Sequence, residues 1–152
     1  MTEEFANPLE SIPATGRIMG LDLGTKTIGV AVSDGMRYSA SPLETIKRTK
    51  FTADAIRIDE LIAQNQVVGI ILGLPLNMDG SEGPRVQSTR AFARSLAQRI
   101  TLPIAFWDER LSTSAVTRMM IEADLRRDRR AEVVDKLAAS YILQGALDRL
   151  RN

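Results

Sequence analysis

Asp22 lies inside the run Arg17-Ile-Met-Gly-Leu-Asp-Leu-Gly-Thr-Lys26, with apolar residues on both sides of it. A carboxylate embedded in an apolar strand is expensive to bury unless a cation or metal accompanies it. Period-two alternation puts Gly20, Asp22 and Gly24 on one face and Met19, Leu21 and Leu23 on the other, so glycines flank the acid and leave room for something to approach. Two further acids stand where solubility does not require them. Glu109 follows the apolar run Ile104-Ala-Phe-Trp107, at the carboxyl end of a strand, where open α/β sheets place ligands. Asp135 falls in the predicted first turn of the last helix, bordering the stripe of Ala138, Ala139 and Ile142.

Clustered carboxylates repel one another unless a cation lies among them. One or two divalent ions, magnesium or manganese, answer that repulsion. Two such ions ~4 Å apart activate a water and stabilise the leaving oxygen of a phosphodiester. Asp22, Glu109 and Asp135 are therefore candidate metal ligands and catalytic residues. Each has a plainer alternative: Asp22 as a cap on a neighbouring backbone group, Asp135 as a charge favoured by the helix dipole, and Asp108 and Glu109 as partners of Arg110. Asp108 also competes with Glu109 for the inward position, because neighbours on a strand point oppositely.

Composition narrows the chemistry further. The 152 residues contain neither cysteine nor histidine, which excludes thiolate and imidazole nucleophiles, disulfides and the usual zinc sites. Oxygen ligands and hard cations remain. Apolar content of 44% and charged content of 26% are ordinary for a globular domain of the cytoplasm, and no apolar run is long enough for a membrane span. The net charge is only +1, so a nucleic-acid surface must come from uneven distribution.

That unevenness is present. Residues 85–107 hold Arg85, Arg90, Arg94 and Arg99 and no acid, and Arg126, Arg127, Arg129 and Arg130 crowd one predicted connection. Arginine suits phosphate because its fork donates two parallel hydrogen bonds. Lys26, Arg90, Arg94, Arg110, Arg126 and Arg127 are candidate substrate contacts, with solvated surface as the alternative. Trp107 can stack on a base, although core packing explains it as well.

The elements that must position these groups follow from periodicity. Residues 1–16, with Asn7-Pro8, Pro13 and Gly16, read as a flexible extension, and residues 17–152 as one domain. A hairpin turns at Gly24-Thr-Lys-Thr27, and a third strand over residues 38–48 is demoted to an edge by Pro42. Thr52 is the expected cap of a helix running to about residue 64. Val67-Val-Gly-Ile-Ile-Leu72 is the expected central strand, and residues 73–83 a loop. Pro84 opens a helix to about residue 99, Ser112 or Thr113 caps another, and a last helix carries Val133, Val134, Leu137 and Tyr141. Three strands in a meander followed by alternating helices and strands imply a mixed sheet with helices on both faces.

Four stretches in this order resemble the YqgF/RuvX family, the Holliday junction resolvase group of the RNase H-like superfamily. They are residues 19–26 with 29–34, Gly73-Leu-Pro-Leu-Asn-Met-Asp-Gly80, Asp108-Glu-Arg-Leu-Ser-Thr113, and Val134-Asp-Lys-Leu-Ala-Ala139. The resemblance implies an RNase H-like α/β fold whose five-stranded sheet is ordered 3-2-1-4-5. It also implies a metal-dependent endonuclease acting on structured RNA or branched DNA, either at the 5′ end of pre-16S rRNA or on Holliday junctions, as a monomer or homodimer. Asp22, Glu109 and Asp135 fall on the family's acidic positions. Resolvases of the RuvC type carry a glutamate at the end of strand four, where this chain has Gly73-Leu74. Strand five is two strands from Asp22, so Glu109 must then reach across roughly 10 Å, or Asp108 must, or the metal geometry differs. That departure favours the alternative of a non-catalytic nucleic-acid-binding module in ribosome assembly or transcription. An actin-like ATPase, whose phosphate loop shares Asp-x-Gly-Thr, needs two such domains to enclose its nucleotide.

Overall fold

The computed structural model describes residues 9–111 and 127–151, with the side chains of 111 and 127–135 outside that description. At its centre is β1 (Arg17–Leu23), which turns through Gly24-Thr-Lys into antiparallel β2 (Thr27–Ser33). β3 (Ala40–Lys47) returns along β2, while β4 (Val67–Leu74) lies parallel to β1 and β5 (Ile104–Asp108) parallel to β4. The resulting order is β3-β2-β1-β4-β5, a mixed sheet as the element pattern implied, in the strand order that the family resemblance implied. Pro42 sits where it must. β3 is an edge strand, and its pairing with β2 slips between Glu44 and Pro42, so the missing N–H interrupts no central ladder.

Two apolar layers clothe the sheet. Met19, Leu21, Ile70 and Leu72 pack against Ile58 and Leu61 of α1 (Phe51–Asn65) and Phe92 and Leu96 of α2 (Pro84–Ala97). The alternate residues Ile18, Ile71, Ala105 and Trp107 pack against Ala139, Ile142, Leu143 and Ala146 of α3 (Arg127–Arg151). Helices therefore cover both faces, and the two-residue period of β1 and β4 sorts their side chains between the layers.

Three expectations are revised. α1 begins at Phe51, its N-cap Lys50 makes no side-chain cap, and the buried Asp54 carboxylate instead accepts the Thr49 N–H at 3.2 Å. The extension is docked from Leu9 onward: Leu9–Ser11 forms a 3₁₀ turn, and Ile12 is buried under Gly69, whose Cβ would come within 2.9 Å of it. Burying that isoleucine outweighs the local loop signals. α3 is already helical from Arg127, where the expected connection ran to Ala131, because arginine, alanine and glutamate through residue 132 favour helix and no Gly or Pro interrupts them. Asp135 is therefore two turns inside α3, beyond the first-turn reach of the dipole. The helix expected after Ser112 or Thr113 lies outside the described residues.

Candidate metal centre and nucleic-acid face

Asp22 is 1% exposed near the carboxyl end of β1. It shares its face with Ile18 and Gly20, and that face meets α3. A Cβ at Gly20 would stand 2.8 Å from Leu143 Cβ and 3.1 Å from the Ala139 carbonyl oxygen. The glycine lets the helix lie close over β1, so the Asp22 carboxylate is held beneath α3 in a water-poor space.

The adjacent strand, β4, makes room for the second carboxylate. Leu21 pairs with Leu72 and Gly73 with Trp107, so Asp22, Gly73 and Trp107 form one row across β1, β4 and β5. Glu109 follows β5 in a 3₁₀ turn (Glu109–Leu111), and its side chain folds back over β4. Its Oε2 lies 3.0 Å, and its Cγ 3.3 Å, from the place where a Cβ on Gly73 would be. Glu109 thus crosses one of the two strand spacings separating it from Asp22, leaving one spacing of ~4.8 Å. The glycine at strand four is the space through which strand five delivers its acid.

Asp108 points elsewhere. Its Oδ2 is 2.7 Å from Arg110 Nη2, and its Oδ1 accepts the Arg110 backbone N–H at 2.9 Å. The Arg110 guanidinium holds the Asp108 carboxyl below the usual carboxylate range. Arg110 also donates to the Met78 carbonyl at 3.2 Å, tethering the 77–80 turn to the end of β5. Pairing with Arg110 is therefore the role of Asp108, and Glu109 is the acid that turns towards β1. Asp135 lies one helical turn before Ala139, but its side chain is outside the described residues. Among the described residues no three acids form a metal-sized group. The donors that are described, Asp22 and Glu109, offer carboxylate oxygens on one face, which fits a hard divalent cation.

The cationic candidates divide. Lys26 is exposed on the hairpin turn and Arg94 is exposed on α2. Arg90 is only 8% exposed, bonded to Glu82 through Nη2 at 2.7 Å and Nε at 3.1 Å, with its guanidinium 5.2 Å from the Phe106 ring centre. It clamps α2 to the preceding loop. Arg126 and the side chain of Arg127 fall outside the described residues. Trp107 is core: a Cβ on Gly145 of α3 would lie 3.0 Å from its Nε1. Two residues take parts at the site that sequence reasoning did not give them. One is Gly73. The other is Arg48, just past β3, whose Nη1 donates to the Gly24 carbonyl at 2.7 Å beside Arg85, whose Nη2 donates to the Leu23 carbonyl at 2.9 Å. The pairing of Thr27 with Lys47 would have placed Arg48 near that turn, had the register been known.

No helix among the described residues is long and apolar enough to cross a membrane. A sequence profile for RuvX, described as Holliday junction resolvase, matches residues 16–149. A protein of Paracoccus denitrificans named "Putative pre-16S rRNA nuclease" is 66% identical over 98% of this chain and 92% of its own. A Cereibacter sphaeroides protein of the same name is 65% identical over 93% of this chain and 89% of its own. Among solved structures, T. thermophilus RuvC in complex with Holliday junction substrate superposes with a TM-score of 0.53 at 14% identity, covering 84% of this chain and 91% of that one. The yeast mitochondrial Holliday junction resolvase Ydc2 gives 0.50 at 10% identity, over 99% of this chain and 85% of that one. At these identities the two structures establish a shared resolvase-type fold.

Proposed function

This chain belongs to the RuvX family, and from that premise we propose that it is a cytoplasmic metal-dependent endonuclease that trims the 5′ end of pre-16S rRNA. The family and the named relatives make it a nuclease, a hydrolase of phosphodiester bonds. The observation that carries the metal site is the convergence of two carboxylates. Asp22 is buried under α3, and Glu109 folds over Gly73 towards the same face. Asp22, Glu109 and Asp135 would hold one or two magnesium or manganese ions. Such ions supply an activated water and charge stabilisation at the leaving oxygen. The protein's own part is positional. β1 and α3 exclude bulk water from Asp22, and Gly73 gives Glu109 its path. With Arg90 and Arg110 committed to Glu82 and Asp108, exposed Lys26 and Arg94 are the described candidates that would attract the polyanion.

The deciding experiment compares wild type with Asp22→Asn on 5′-extended pre-16S RNA and on a four-way DNA junction, with magnesium or manganese. Cleavage should fall to background in the variant while the circular dichroism spectrum and nucleic-acid binding persist. A variant that cuts as fast as wild type removes Asp22 from the mechanism.

Gly73, standing where RuvC-type enzymes carry a glutamate, favours a second reading, a nucleic-acid-binding module without cleavage. In that case affinity survives both EDTA and Asp22→Asn, and no metal-dependent product appears on either substrate.

A further inference from the structure

On the other side of the β1–β2 turn from α3, a small cleft is lined by Gly24, Thr25, Arg48, Arg85, Ser88 and Thr89. Arg48 enters from the end of β3 and Arg85 from the first turn of α2. They meet over consecutive carbonyls, at Gly24 and Leu23 respectively. Arg57, Arg90, Arg99, Arg110 and Arg151 are each paired with a carboxylate. Arg48 and Arg85 make no such pair among the described residues. Each uses one N–H on the turn, and a guanidinium has five. Two converging cations repel each other unless an anion lies between them. Ser88 and Thr25 add hydroxyls at the mouth, both on exposed residues, so the cleft opens to solvent. Thr89 donates its hydroxyl to the Arg85 carbonyl at 2.9 Å, fixing the wall from which Arg85 extends.

Building on the nucleic-acid reading above, we infer that this cleft binds one backbone phosphate of the nucleic-acid strand, next to the one held near Asp22. Gly24 is two residues beyond Asp22, roughly 7 Å along an extended chain at ~3.3 Å per residue. A strand crossing the carboxyl edge of the sheet from the Asp22 face therefore passes directly over the turn. Arg48 and Arg85 take the non-bridging oxygens of the phosphodiester, each through a charge-assisted hydrogen bond. Because the contact reads backbone and not bases, it sets the register of the strand without selecting its sequence.

The test measures binding of a fluorescein-labelled RNA duplex with a single-stranded 5′ extension by anisotropy, in EDTA so that cleavage plays no part. Arg48→Gln and Arg85→Gln should each weaken binding several-fold and flatten the slope of log affinity against log salt, the double variant by about 0.7–0.9 for the one phosphate lost. Arg85 is exposed, so Arg85→Gln keeps the fold even if Arg48→Gln, which also loses its stacking on Phe92 (5.7 Å), does not. Arg48→Lys retains the charge and should keep the slope. Replacing the RNA phosphates one at a time by neutral methylphosphonates should reveal one position that matters to wild type and not to Arg85→Gln. An unchanged salt slope in folded Arg85→Gln, or a methylphosphonate profile identical to that of wild type, overturns the inference. A protein that binds in this way but never cleaves would sink the nuclease proposal and leave this site standing. One that cleaves with its slopes unaltered would do the reverse.

Discussion

A carboxylate can be supplied to a site by removing a side chain elsewhere, and Gly73 is the case in this protein. Any Cβ at that position would lie 2.6 Å from Ile142 Cδ1 and 3.0 Å from Glu109 Oε2. Gly73→Ala therefore overpacks the sheet–helix interface, at about 1–3 kcal/mol, and displaces Glu109. The two effects are separable. Adding Ile142→Val deletes the Cδ1 methyl, so the double variant should regain most of the lost melting temperature while its cleavage rate stays depressed. If activity returns together with stability, Gly73 matters to packing alone. The same position explains why the sequence was hard to read here. A glycine at the end of an apolar strand signals close approach, but nothing in its neighbours says that the approaching atom belongs to Glu109, 36 residues later.

Between elements, the described ion pairs act as ties, and one of them has a clear pH signature. Arg57 on α1 grips Glu44 on β3 with Nε and Nη2 at 2.8 and 2.6 Å. That hydrogen bonding holds the Glu44 carboxyl below its ordinary value of 4.5. A depressed carboxylate contributes stability that is fully present above its unfolded pKa and is lost as pH falls through the folded one. Glu44→Gln should therefore melt below wild type at pH 7, and the gap should close as pH falls below about 4.5. A gap that does not narrow as the pH is lowered would assign the loss to packing. At this scale the sequence was mostly legible. Alternation in residues 17–33, the apolar run at 67–72 and Pro84 at a helix start report local preferences that the tertiary structure reinforces. The edge placement of β3 was readable from Pro42 for the same reason. The helical state of residues 127–131 was not, because a polar arginine-rich stretch serves equally as a loop or as a solvated helical turn until packing decides. Ile12 was lost in a stretch of turn residues because one buried side chain leaves no period.

Across the whole molecule, the proposed site would draw on the ends of two strands and, through Asp135, on α3, so metal binding and folding should be linked. A cation that binds only the folded state raises stability by mass action. Magnesium or manganese should raise the melting temperature of the wild type and leave that of Asp22→Asn unmoved, and EDTA should reverse the shift. Equal shifts in both proteins would place the ion elsewhere. The architecture could be read from the order of elements, whereas the turn of Glu109 over Gly73 towards β1 depended on strand order and on a side chain crossing between strands, neither of which is written in local pattern. The seating of Trp107 has a practical outcome. It is the sole tryptophan, wedged between β5 and Gly145 of α3 and two residues ahead of Glu109. The protein therefore carries its own optical gauge, one whose emission colour tracks whether the closing helix is seated over the carboxylates.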